Sequence, residues 1–357
     1  MDRSLFKDEL LNWYDQHKRS MPWRDAGDPY KTWVSEIMLQ QTRVEQATPY
    51  FLNFISQFPT VDELAAAEQQ DVLKAWEGLG YYSRARNLHY AAKQVSEEMN
   101  GNIPGTYKEL LGLKGIGPYT AAAISSISFD ETRAAVDGNV IRVICRLYGI
   151  EDDVRSTKTR NQVQELADQL IHKKRPGDHN QAMMELGSQI CTPTSPDCEH
   201  CPVHTHCVAH KMARTDSIPY KSKAGKKPHK HIGVGIIHNE DGRVLIALRP
   251  EDVMLGGLWE FPGGKQEKEE EITETVIREL KEELGVEVKI IRPFMDLKHT
   301  YSHFSITLHS FICIIDEGTP KPRSSQEIKW VKINELEQYP FPKANKSLTE
   351  KLINNGI

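Results

Sequence analysis

Two acidic side chains stand out for the residues around them. Glu36 lies in Lys31-Thr-Trp-Val-Ser-Glu-Ile-Met-Leu-Gln-Gln41, with no other charge between Lys31 and Arg43. On a helix its neighbours three and four residues away are Trp33, Leu39, Thr32 and Gln40, none of them cationic. Nothing local holds such a carboxyl ionised, so a raised pKa and general-acid work are expected. Asp137, in Val136-Asp-Gly-Asn139, comes just before the helical pattern Val140–Leu147, whose N-terminus is expected to keep it ionised. Upstream, Leu113-Lys-Gly-Ile-Gly-Pro-Tyr119 reads as a tight hairpin between two helices. Gly115 and Gly117 permit φ > 0, and Pro118 presets the first turn of the second helix. Glycines ahead of a helix leave backbone N–H groups uncovered, a nest suited to phosphate. A phosphate grip beside a lone carboxylate points to chemistry on a nucleic-acid backbone or its sugars. The plainer alternative is a helix-turn-helix with an Asp cap.

A third group is metal-ligating. Cys191, Cys198, Cys201 and Cys207 form C-x6-C-x2-C-x5-C, four thiolates able to surround one centre. Tetrahedral zinc and a cubane iron–sulfur cluster both use such ligands. A single C-x2-C knuckle leans to iron–sulfur, while His200, His204 and His206 keep zinc open. Crowded cysteines in a chain without an export signal favour a metal over disulfides, hence a reducing cytosol. Cys145 and Cys313 read as buried singletons.

The elements that must position these groups change type along the chain. From Leu5 to about Ala213 apolar residues recur at spacings of three and four, as in Leu88, Ala91, Ala92 and Val95, which predicts an all-helical region of two lobes. Helices are expected at Thr32–Gln41, Val61–Glu77, Val140–Leu147 and Asn180–Ile190, among others. A lysine-rich stretch follows, with Lys221, Lys223, Lys226, Lys227 and Lys230, and reads as a solvated linker. Beyond it strand patterns begin at His231, interrupted by the amphipathic helix Ile272–Leu284, so the C-terminal domain is α+β. A formal charge of −5 over 357 residues does not exclude a nucleic-acid partner, because a local basic strip suffices for phosphate contacts. No apolar run approaches membrane-spanning length, and no signal-peptide core opens the chain.

Taken in order, Ser-Glu36-Ile-Met-Leu-Gln-Gln-Thr, Gly78-Leu-Gly-Tyr-Tyr-Ser-Arg84, the hairpin, Val136-Asp-Gly-Asn-Val140 and the four-cysteine spacing resemble the MutY adenine DNA glycosylases of the helix-hairpin-helix superfamily. The resemblance spans essentially the whole chain. It implies a multidomain protein: an all-α helix-hairpin-helix glycosylase with an iron–sulfur subdomain, plus an α+β Nudix-like domain. The helical region would occupy 1–213, with 20–127 as the helix-hairpin-helix lobe and 1–19 joined to 128–213 as the iron–sulfur lobe. Residues 214–230 would link it to a lesion-recognition domain, 231–357. The implied activity is excision of adenine mispaired with 8-oxoguanine or guanine in base-excision repair, with a [4Fe-4S] cluster on the four cysteines. The partner would be double-stranded DNA bearing the mispair. A cytoplasmic, nucleoid-associated bacterial monomer is expected.

The chemistry assigns the roles. Adenine is a poor leaving group and must be protonated as the glycosidic bond breaks. Glu36 would supply that proton, and Asp137 would stabilise the oxocarbenium cation. At about 5 Å and an effective dielectric near 20 that attraction is about 3 kcal/mol, roughly a few hundredfold in rate. The two carboxyls then need opposite protonation states. By resemblance Asn139 orients Asp137. Tyr119 stands where strand-cutting relatives carry a Schiff-base lysine, which predicts a monofunctional enzyme. The family also places Gln41 and Tyr81 as wedges into the base stack, Thr42 near the opposite strand, and Trp23, Arg24 and Gln181 around the extruded adenine. Flipping the base costs a few kcal/mol.

The C-terminal domain carries Gly264-x5-Glu270-x7-Arg278-Glu-Leu-x-Glu-Glu-x-Gly-Val286, a complete Nudix box. Glu279, Glu282 and Glu283 fall on one helical face, where like charges repel unless a divalent cation joins them. Alone this would predict Mg²⁺-dependent pyrophosphate hydrolysis. The resemblance instead implies a domain that reads the oxidised guanine, through Tyr301, Ser302 and His303 in the loop His299–His303. Tyr301 departs from the family's usual Phe. Thr194 and Ser195 stand where basic residues are common. The rivals are nucleotide hydrolysis by this domain and a non-catalytic iron–sulfur DNA-binding protein.

Overall fold

The computed structural model of the chain describes residues 2–24, 27–223, 225, 227–301 and 303–357. It divides into two compact units, Met1–Ala66 with Tyr90–Ala224, and Ala67–His89 with Gly225–Ile357. The helices run in order α1 (Arg3–His17), α2 (Pro29–Leu39), α3 (Val44–Gln57), α4 (Val61–Ala66), α5 (Gln69–Ala75), α6 (Ser83–Met99), α7 (Tyr107–Leu110), α8 (Pro118–Phe129), α9 (Gly138–Tyr148), α10 (Thr157–Leu170), α11 (Pro176–Gln189) and α12 (Val208–Lys211). The single helix expected over Val61–Glu77 is two, because Glu68 takes an extended conformation (φ −70°, ψ 141°) ahead of α5.

In the first unit, α1 returns to pack with α9, α10 and α11. Phe6, Leu10 and Tyr14 share a core with Val143, Ile144, Val163, Leu170, Met183 and Leu186. Each such side chain contributes roughly 1.5–3 kcal/mol when fully buried. α2 packs on α3 and α8. It starts where Asp28 accepts the N–H groups of Tyr30 and Lys31 and Pro29 occupies the first turn. α7 and α8 flank the hairpin, as the glycine and proline spacing predicts. α9 begins at the Asp137 cap and ends at Gly149 in the left-handed region (φ 67°).

In the second unit, β1 (His229–Ile237), β2 (Arg243–Leu248), β3 (Trp259–Glu260), β4 (Gly263–Lys265), β5 (Glu287–Thr300), β6 (Ser305–Glu317) and β7 (Glu327–Lys332) make two sheets, with α13 (Ile272–Leu284) and α14 (Lys343–Asn355). One sheet has the order β4-β1-β6-β5 and the other β3-β2-β7. β1 and β6 run parallel; the other pairs are antiparallel. Gly235 lets α13 lie close to β1, since a Cβ there would stand 2.5 Å from Leu280. This is the expected α+β domain. Its first strand begins at His229, two residues before the pattern suggests. Residues 67–89, placed by sequence in the helical region, cluster instead with 225–357.

Candidate active site

The apolar face of α2 carries Glu36 inward, between Trp33, Val34, Ile37 and Met38, and leaves it only 7% exposed. Tyr119, on the first turn of α8, donates its hydroxyl to Glu36 Oε2 at 2.7 Å, and Met184 Sδ lies 3.4 Å from the Tyr119 hydroxyl oxygen. Burial pushes the Glu36 carboxyl up to about 7, against the Tyr119 hydrogen bond, with help from the negative Asp137. The same burial drives the Tyr119 phenol well above its usual range. The upward shift expected for Glu36 is thus present, with burial as its main cause.

Asp137 caps α9. Its Oδ1 accepts Val140 N at 2.7 Å and its Oδ2 accepts Asn139 Nδ2 at 2.9 Å. The expectation that the helix end alone keeps it ionised is corrected here. Burial raises its pKa and outweighs the hydrogen bonds and Arg142, which pull the other way. Asp137 accepts more hydrogen bonds than Glu36, and these with Arg142 favour its charged form. Asn139 in turn accepts from Arg142 Nη2 at 2.8 Å, and Arg142 also donates to Gly187 O and Cys191 O, each at 2.7 Å. A Cβ on Gly187 would lie 2.5 Å from Asn139 Cβ, so this contact between α11 and α9 requires glycine.

Glu36, Tyr119, Asp137 and Asn139 line one cleft of about 760 Å³, together with Trp23, Arg24, Thr42 and Gln181. Trp23 meets Phe51 edge-on at 5.1 Å. Arg24 donates to Arg19 O at 2.6 Å and to Glu185 Oε2 at 3.3 Å. Glu185 also accepts from Arg19 Nε and Gln189 Nε2, each at 2.5 Å. Burial pushes Glu185 up, but Arg19 and Arg24 prevail and hold it below its usual range. Glu185, Arg19, Arg142 and Met184 are cleft residues that the sequence reading passes over. A glutamate between Met183, Met184 and Leu186 was the one available sign.

The hairpin differs in one detail from expectation. Gly115 has φ +82°, but Gly117, the cap of α8, is extended (φ −92°). Gly117 is open in front, with nothing within 4 Å of an added Cβ. It leaves the end of α8 uncovered and is not needed for backbone freedom. Gln41 follows α2 as an exposed residue at φ 58°. Tyr81 belongs to the second unit, 41% exposed at φ 49°, with the Arg84 guanidinium 5.3 Å from its ring centre.

Cys191, Cys198, Cys201 and Cys207 surround a small cavity of about 20 Å³. Arg146 reaches Cys191 Sγ at 3.3 Å, a cation placed to offset thiolate charge. Of the histidines that kept zinc open, His200 is engaged with Asp197 and His206 with Glu9, each at 2.9 Å, while His204 lines the cysteine space with its Nδ1 on Cys201 O at 2.8 Å. Four soft sulfur donors are the ligand type of a cysteine-held metal centre, and they line one space, but among the described residues no group is spaced to hold a metal ion as it stands.

In the second unit Arg278 pairs with Glu270, Glu279 and Glu282 at 2.8, 3.1 and 3.3 Å. Glu283 accepts Gly263 N at 3.0 Å, and burial beside Glu260 pushes it up to about 7. The expected repulsion on α13 is therefore met by an arginine within the protein. Between β5 and β6, Tyr301 packs on His299 and Phe304 with ring centres 4.6 and 5.0 Å away and lies against the core, half-buried. His303 is exposed, and Ser302 lies outside the described residues. Among the described residues no helix is long and apolar enough to cross a membrane.

Comparison with known proteins finds two family models along the chain. Residues 34–171 match the HhH-GPD superfamily of base excision DNA repair proteins, and residues 233–351 match the NUDIX domain. The adenine DNA glycosylase of Mus musculus is 34% identical over 92% of this chain and 74% of its own length. That of Buchnera aphidicola subsp. Acyrthosiphon pisum is 29% identical over 99% of both chains. A thermostable thymine-DNA glycosylase of known structure superposes with a TM-score of 0.53 at 27% identity, covering 59% of this chain and 97% of its own. Similarity that runs through both the helical region and the Nudix-like domain makes this protein a member of the adenine DNA glycosylase (MutY) family, acting in base-excision repair.

Proposed function

We propose that the protein excises adenine mispaired with 8-oxoguanine or guanine, and that it does so without cutting the strand. The observation that carries this reading is the buried Glu36, hydrogen-bonded by Tyr119 in a cleft shared with Asp137. A carboxyl that keeps its proton to about pH 7 suits a general acid. Glu36 protonates adenine, at N7, as the glycosidic bond breaks. Asp137, steadied by Asn139 and Arg142, faces the sugar cation. Tyr119 offers a phenol where Schiff-base chemistry needs an amine. Trp23, Arg24 and Gln181 receive the flipped base, the Gly115–Gly117 hairpin holds a phosphate, and Gln41, Thr42 and Tyr81 fill and flank the gap.

Cys191, Cys198, Cys201 and Cys207 would hold a [4Fe-4S] cluster, whose contribution is to order their loop near DNA. The C-terminal domain reads the oxidised guanine through Tyr301, Ser302 and His303. The engagement of its acidic box by Arg278 supports recognition over hydrolysis. A monomer working on the DNA of a bacterial cytoplasm is the matching setting.

The test is free adenine released from a duplex with adenine opposite 8-oxoguanine. Release that disappears in Glu36→Gln is expected; no release, or release indifferent to that change, would sink the reading. Borohydride should trap little covalent adduct. A strong adduct would contradict the monofunctional assignment and direct attention to Lys114 or Lys31.

A further inference from the structure

Residues 67–89 precede and follow a turn, Gly78-Leu-Gly-Tyr81, that is built on positive φ values at Gly78 (102°), Gly80 (73°) and Tyr81 (49°). The residues on either side of this turn grip the same residue of the C-terminal domain. Glu77 Oε1 accepts Phe341 N at 3.1 Å, and the Tyr82 hydroxyl donates to Phe341 O at 3.3 Å. That hydroxyl also accepts Gly78 N at 3.2 Å, which bonds the turn to its own anchor. Phe341 is no loose partner. Its ring stacks on Phe261 at 5.8 Å within the second unit's core. The other Glu77 oxygen accepts Lys74 Nζ and Lys346 Nζ, each at 2.8 Å. A nearly buried carboxylate with three donors keeps its charge only while that geometry holds. On the far side of the turn, Arg84 bonds the carbonyls of Leu79 and Gly80.

We propose that Glu77 is a positioning residue through which the C-terminal domain fixes the Tyr81 turn, making residues 67–89 the arm by which the lesion reader acts on the base stack. The proposal rests on the reading of Tyr81 as a wedge. The consequence is specific: loosening Glu77 harms excision opposite 8-oxoguanine, where the reader is engaged, more than excision opposite guanine.

The experiment uses the full-length protein with Glu77→Gln, and Tyr82→Phe as a gentler second variant, each made also with Tyr81→Ala. Two quantities are read: single-turnover excision on both mispairs, and amide hydrogen exchange across residues 78–82. Glu77→Gln is expected to speed that exchange about tenfold or more, with α2 unaffected. Excision opposite 8-oxoguanine should fall roughly tenfold and opposite guanine about twofold or less, and Tyr81→Ala should erase the difference. Unchanged exchange in the turn, equal losses on both substrates, or a loss that persists with Tyr81→Ala would overturn the proposal. A silent Tyr81→Ala would overturn the wedge reading and the proposal with it, whereas unchanged exchange would overturn the clasp alone.

Discussion

Two groups of acidic side chains, one in each unit, are set apart by their partners. In the first unit Glu36 is offered one hydrogen bond, from Tyr119, and opens with Asp137 on a cleft of about 760 Å³. In the second unit Glu270, Glu279 and Glu282 share the Arg278 guanidinium, and Glu283 accepts a backbone N–H. Burial lifts Glu36 and Glu283 alike to about 7. A shifted pKa therefore does not mark the reactive group. What distinguishes Glu36 is its place on the cleft beside Asp137, whose hydrogen bonds and Arg142 favour the charged form.

The comparison can be broken most sharply at Glu36. Glu36→Gln should lower single-turnover adenine excision by about a thousandfold or more, the range of a lost general acid. Next comes Asp137→Asn, which keeps the cap but removes the charge. A loss of roughly a few hundredfold is expected, matching about 3 kcal/mol of cation stabilisation. Gly187→Ala touches no reacting group. By pushing on Asn139 it should displace the Asp137 support and reduce excision on the order of tenfold, with DNA affinity nearly unchanged. At the bottom of the scale, Glu282→Gln should leave excision within about twofold, because its partner Arg278 retains Glu270 and Glu279. A large loss there would mean that the acidic box does more than support the fold.

Much of the site was legible because its signals are local. The uncharged run around Glu36, the cap position of Asp137, the hairpin glycines and the cysteine spacing all lie within short windows. The switch from helical to alternating patterns likewise announces an α+β C-terminal domain. What stayed hidden depends on long-range packing. The Tyr119–Glu36 bond joins α8 to α2, and Glu185 finds Arg19 and Arg24 across the fold. Gly117 could not be told from Gly115 by type alone, since both positions tolerate glycine but only Gly115 needs it. Residues 67–77 read as part of one helix, and nothing in their apolar spacing says that Gln70 accepts from Trp259 Nε1 or that Glu77 meets Phe341. The repulsion on α13 is present, since besides burial Glu282 and Glu270 push the Glu279 carboxyl up and Glu279 pushes Glu283 up, but Arg278 on the same helix offsets it.

The central claim is that Glu36 acts as a protonated carboxyl, and its pH dependence tests this directly. Glu36 has a pKa raised from 4.5 to about 7, so the active acid form is present below that value and is lost above it. The Tyr119 hydrogen bond pulls that pKa down, so Tyr119→Phe should move the basic limb to higher pH. The measurement is the single-turnover rate of adenine excision from pH 5.5 to 9, in the parent protein and in Tyr119→Phe. The account predicts a limb near pH 7 that falls about tenfold per pH unit and shifts upward in the variant. A rate that stays flat through pH 8.5, or a limb that Tyr119→Phe moves downward, would contradict it.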